Sequence, residues 1–251
     1  DAKLCRAYYE RFHENLVVPT TYEQYLHAAE FFTRSCNPDS PTEYGTTMTC
    51  GSASVAASDF LPFYLSRIDR FGSTPETLRL DSPEMQAAMR QYHALEKFSC
   101  KQNWWGDSIQ KFAEGKTAMT VIYSNYAAEL INSGNSVVVG RVGAAILPGC
   151  KPLLGGGIVG ISRYSPKAEA CKQFFHWYYS ADVASLLVRL GGTSPIVDAY
   201  EDFQNYSIFP WMNTSKKSFG LGQRGVINQT PERFSIPKYE FAVGTAVRNV
   251  V

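Results

Sequence analysis

Long apolar runs, an excess of either charge, clustered cysteines and the signatures of nucleophilic catalysis are all missing from this sequence. Each absence removes a class of function. No uninterrupted apolar stretch reaches the roughly 18 to 20 residues needed to cross a bilayer, and the opening DAKLCRAYYERF has no charged, apolar and cleavage-site series. The chain starts at Asp1 rather than Met, so it reads as a processed product whose upstream residues, any export signal included, lie out of view. With 24 basic and 23 acidic residues the formal charge is +1, which leaves no field to attract nucleic acid or an anionic membrane. The six cysteines, Cys5, Cys36, Cys50, Cys100, Cys150 and Cys171, are widely separated, with no C-x-x-C and no histidine at metal-ligand spacing. No metal site is expected, and the thiols are expected to be mostly free.

The catalytic signatures are equally thin. The four histidines, His13, His27, His93 and His176, each fall in a helical stretch and read as ordinary packed or half-exposed residues. No G-x-S-x-G precedes a helix, so a hydrolase nucleophile has no turn to stand on. Gly155-Gly156-Gly157 lacks the Lys-Ser/Thr pair and the following helix N-terminus of a phosphate loop, and leads into GIVGIS, which has strand character. These glycines are expected to start a strand at a cleft, where unusual φ is allowed and backbone comes close to a ligand. No enzyme activity and no cofactor are expected.

What is present is an alternation of helices and strands. Helical spacing marks 3–12 and 22–32, the second capped by Thr20 or Thr21; Asp59 to Ile68 is apolar enough for a buried helix. DSPEMQAAMRQYHALEKF has Ser82 as cap and Pro83 in its first turn, and WWGDSIQKFAEGK gives a short helix ending at Gly115. NYAAELINS, SPKAEACKQFFHWYYS with Ser165 as cap, SADVASLLVRLGG and KYEFAVGTAVRNVV complete the helices, the last being the one helix expected after Thr193. YGTTMT, TAMTVIY, GRVGAAILP and GIVGIS read as strands. The class is therefore α/β. Aromatics make up 14% of the chain, and several stand at element ends: Trp104 and Trp105 before a helix, Tyr123-Ser124-Asn125-Tyr126 after a strand. Rings beside hydroxyl and amide groups suit a carbohydrate, whose C–H face stacks while its hydroxyls take the hydrogen bonds.

At this point the sequence resembles the extracellular solute-binding proteins of ABC importers, in particular the sugar-binding group that includes maltose-binding protein. The resembling pieces, in order, are PTTYEQYLHAAEFFT, YGTTMT, LDSPEMQAAMRQYHAL, FAEGKTAMTVIYSNYA, VGAAILPG, LLGGGIVGISRYSPKAEACKQFFHWYYS and RLGGTSPIV, covering about 20 to 200. The resemblance implies a type II periplasmic-binding-protein-like fold, with a second lobe at 45–192 flanked by first-lobe pieces at 1–44 and 193–251, and most of the first lobe absent. It implies hinge crossings at Tyr44-Gly45 and Gly191-Gly192, where a few residues absorb closure. Tyr126, or Asn125 just before it, stands where the family carries a stacking aromatic, with Ser124 beside it. Gly156 and Gly157 stand in its Gly-Gly unit, Gly157 where many members have Trp, and Thr193 and Ser194 follow the return crossing. Trp104 and Trp105 are candidates to restore aromatic surface. The implied function is non-catalytic binding of a sugar or similar polar solute by a monomer for delivery to a membrane permease. That places the chain outside the cytoplasm, in the periplasm or lipid-anchored at the cell surface. A ligand-sensing domain of a regulator is the alternative use of the same fold.

Overall fold

The computed structural model describes residues 1–131, 134–156, 159–201, 209, 211–222 and 235–251. Two helices open the chain, α1 (Ala2–Phe12) and α2 (Tyr22–Phe31). The Asp1 carboxylate caps the first, and the Thr21 hydroxyl accepts from Gln24 N–H to start the second. The strand β1 (Thr46–Thr49) is buried on both faces and leads into α3 (Ala53–Leu65), capped by Ser52. Helix α4 (Pro83–Leu95) starts at Ser82, whose hydroxyl accepts from Met85 N–H, with Pro83 spending no donor in the first turn. It is followed by β2 (Ser99–Gln102) and α5 (Trp105–Ala113), which ends before Gly115 at φ 71°.

The described sheet has two strands, β1 and β2, paired in parallel with Thr46 opposite Ser99 and Thr49 opposite Gln102. The class expected from the sequence is right, but the sheet is smaller than expected. TAMTVIY contributes a single bridge, Thr117 to Tyr44, and two backbone bonds, Ala118 N–H to Tyr44 C=O and Met119 N–H to Gly45 C=O. Beyond Met119 the segment is held by side chains, Thr120 Oγ1 lying 2.8 Å from Thr47 Oγ1. GRVGAAILP forms no ladder, and of GIVGIS residues 159–162 form none, while Gly157 and Ile158 lie outside the described residues. β propensity needs a neighbouring backbone to become a strand, and beyond Met119 the described residues of these segments have no ladder partner. The described residues of NYAAELINS lie in a 3-10 helix, Ser124–Ile131, rather than an α-helix.

The later part of the chain holds α6 (Ala168–Tyr178), α7 (Ala181–Arg189), a 3-10 turn at Val197–Tyr200, α8 (Met212–Leu221) and α9 (Ile236–Arg248). α6 starts three residues after Ser165, whose hydroxyl accepts from Lys167 N–H ahead of the helix. One core joins α2, α3, α4, β1 and α9 through Tyr25, Phe60, Tyr64, Tyr92 and Val243. Residues on both sides of the expected boundaries at 44/45 and 192/193 share it. A second cluster gathers Ala184, Val188, Tyr200, Trp211 and Met212, and a third Ile109, Ala113 and Leu130. Among the described residues no helix is long and apolar enough to cross a membrane.

Candidate functional site

Where these three clusters meet, the structure holds a cleft of about 1030 Å³. This is the upper end of the range of small-molecule sites. One wall is aromatic. Helix α5 begins at Trp105, and its capping residue Trp104 lies edge to face on it, centroids 4.6 Å apart. Trp105 meets Tyr123 edge-on at 4.9 Å and Tyr126 at a tilt at 6.5 Å, so the three rings form one aromatic cluster. Gly106 sits beside these rings with room to spare: a Cβ there would make ordinary contact, 3.5 Å from Trp104 and 3.9 Å from Tyr126. Ser124 and Asn125 lie on the same wall.

Gly155 explains part of the glycine triplet. A Cβ on it would lie 2.4 Å from the Tyr123 ring, so only glycine lets the backbone press against that ring. Neither Gly155 nor Gly156 uses a positive φ, contrary to expectation. Gly156 lines open space in the cleft, and Gly157 lies outside the described residues.

Helix α3 also contributes to the lining. Ser54, Ser58 and Asp59 face the cleft, together with Pro62 one turn on. One carboxylate oxygen of Asp59, Oδ2, accepts both the Tyr92 hydroxyl at 2.7 Å and the Thr49 N–H at 3.2 Å. Burial pushes its pKa up to about 6, and the hydrogen bonds from Tyr92 and from the backbone and side chain of Thr49 only partly offset the desolvation. Glu240, buried at 8% exposure on α9, is the other charged residue among the described lining side chains. Sequence reasoning missed both. Asp59 stood at the start of an expected buried helix, which begins six residues earlier because Ser52 caps it.

Of the remaining expected site residues, Thr193 lines the cleft and Ser194 does not. Ser194 is buried in a turn: its N–H donates to the Tyr200 hydroxyl at 2.7 Å, and that hydroxyl donates back to its carbonyl at 2.9 Å. The expected hinge residues are firmly bonded. Tyr44 bridges Thr117, and Gly45 N–H donates to Thr33 Oγ1 at 2.9 Å and Phe98 C=O at 3.0 Å. Gly191, at φ 83°, and Gly192 end α7, the latter donating to Leu187 C=O at 2.9 Å. The histidines stay out of the cleft, His27 pairing with Glu14 at 2.9 Å and His93 with Glu96 at 3.2 Å. All six cysteines are free thiols.

A family model for bacterial extracellular solute-binding proteins matches residues 6–211. The chain belongs to this family. Membership agrees with the resemblance drawn from the motifs, and it places the chain among extracellular proteins. Solved structures share the fold. An ABC transporter solute-binding protein from Agrobacterium radiobacter K84, in complex with ribitol, superposes with a TM-score of 0.71 at 20% identity over 98% of this chain and 63% of that one. One from Agrobacterium vitis S4 with bound D-mannitol gives 0.63 at 16% identity, over 97% and 63%. One from Thermotoga lettingae TMO bound with α-D-tagatose gives 0.61 at 20%, over 97% and 68%. The chain thus spans about 63% of the length of the first two. No curated protein matches it.

Proposed function

We propose that this chain supplies most of the binding site of a protein that takes up a polyol or sugar in the cleft, without chemical change, and delivers it to the permease of an ABC importer. The observation that carries this reading is the composition of the cleft itself. The rings of Trp105, Tyr123 and Tyr126 line it together with serine hydroxyls and a carboxylate, so the one cleft offers both stacking surface and hydrogen-bond acceptors. The polyols and the ketose bound by the three relatives have that same dual character. Tyr44-Gly45 and Gly191-Gly192 serve as the crossings about which the lobes close, and the protein acts as a monomer outside the cytoplasm.

The test is a thermal-shift screen of the full-length gene product against ribitol, D-mannitol and D-tagatose. A ligand bound only by the folded state raises stability by about 2.7 kcal/mol at a hundredfold excess over Kd, which reads as a melting point several degrees higher. The recovered ligand is expected to be chemically unchanged. No shift with any neutral polyol or sugar, or a turned-over product, overturns the reading.

A further inference from the structure

We infer that α6 and the extended run 159–162 before it form the outer part of an α/β layer whose covering sheet is supplied by a portion of the full-length gene product outside residues 1–251. The partner is a further segment of the same polypeptide rather than a second copy, and the inference does not depend on what the cleft binds.

Helix α6, AEACKQFFHWY, has the apolar content of a packed helix, yet none of its 11 residues is buried. Phe174 is 52% exposed, Trp177 58% and the C-capping Tyr179 44%. These rings rest on one another: Phe174 stands 5.6 Å from Trp177 and stacks on Tyr178 at 5.8 Å, and Tyr178 meets Tyr179 edge to face at 5.2 Å. A contiguous aromatic patch facing solvent marks an interaction surface. The helix itself needs one, because a helix shorter than about 12–15 residues is marginal in water unless its apolar face packs on something.

The run before α6 has the same deficit. Val159 is 68% exposed, a Cβ on Gly160 would meet nothing within 4 Å, and residues 159–162, strand-like in sequence, have no ladder partner among the described residues. A strand leading into a helix is half of an α/β layer, and a single element completes both halves: a sheet that pairs with the strand and covers the helix. A second copy stacking ring on ring would cover the helix but supply no ladder. The shared fold has the length for such a sheet, since 98% of this chain accounts for 63% of the ribitol-bound relative and 97% for 68% of the tagatose-bound one.

The experiment is hydroxyl-radical footprinting of the full-length gene product, read by mass spectrometry, at a concentration where sedimentation shows a monomer. Val159, Phe174, Trp177 and Tyr179 are expected to react several-fold more slowly in the native protein than after unfolding in urea. With p-benzoylphenylalanine in place of Trp177, irradiation is expected to attach a peptide from outside residues 1–251. Rings that react as fast in the native protein as in the unfolded one, or an adduct to a second copy or to a position within residues 1–251, overturn the inference. Phe174→Ser combined with Trp177→Ser should lower the melting point by several degrees, as loss of buried rings does, and an unchanged melting point is the contrary result. If that variant does not fold, the wild-type footprint decides alone. None of these readouts uses a solute, so their failure leaves the binding reading standing, and a protein that binds no polyol or sugar leaves this inference standing.

Discussion

At the scale of single residues, the costliest side chain in the cleft is also the most informative. Asp59 has an unfolded pKa of 3.8 and a folded pKa of about 6, so between these values the folded chain holds a proton that the unfolded chain has released. Stability from this group is thus present at acid pH, falls as the pH rises through that window, and is fully lost above about 6. The penalty at neutral pH is up to about 3 kcal/mol. Asp59→Asn, which keeps an acceptor for Tyr92 and Thr49, is expected to be more stable than wild type at pH 7.5 by as much as this. The gain should vanish near pH 4, as read from urea midpoints at the two pH values. A variant less stable than wild type at both would show that the charge itself holds α3 to α4.

At the scale of elements, close approach decides more than propensity. Helices α3 and α9 cross where a Cβ on Gly244 would stand 1.6 Å from the Ala53 carbonyl oxygen, a distance no side-chain shift can relieve. Gly244→Ala should force the helices apart and cost about 1–3 kcal/mol, although alanine is the better helix former. A variant as stable as wild type in denaturant titration would contradict this contact. Gly244 sat unremarked in a predicted helix, because a helix pattern does not reveal what lies across it. Capping residues were legible: Thr21, Ser82 and the Gly115 terminus all stand where local chemistry put them. So was the aromatic wall, since rings clustered at element ends with small polar neighbours announce a surface rather than a core. Elements without an apolar period were not legible. β2, SCKQ, is a strand only because β1 lies beside it, and α8, MNTSKKSFGL, buries just Met212 and Ser215. The expected strands at 117–123 and 140–148 failed for the converse reason, having strand-like sequence with no backbone ladder to complete.

At the scale of the whole molecule, the cleft exists because three apolar clusters, built from different stretches of chain, meet around it without filling it. The rings come from α5 and the turn after Tyr123, the acceptors from α3 and α9. Loss of one ring should therefore remove affinity without removing the fold. The central claim is that this cleft is where a neutral solute binds, and calorimetric titration of D-mannitol into the full-length protein and its Trp105→Ala variant tests it most directly. The account predicts saturable one-to-one binding by wild type and a loss of at least roughly tenfold in the variant, with folding intact by circular dichroism. Wild-type affinity in the Trp105→Ala protein would place the ligand elsewhere and contradict the account.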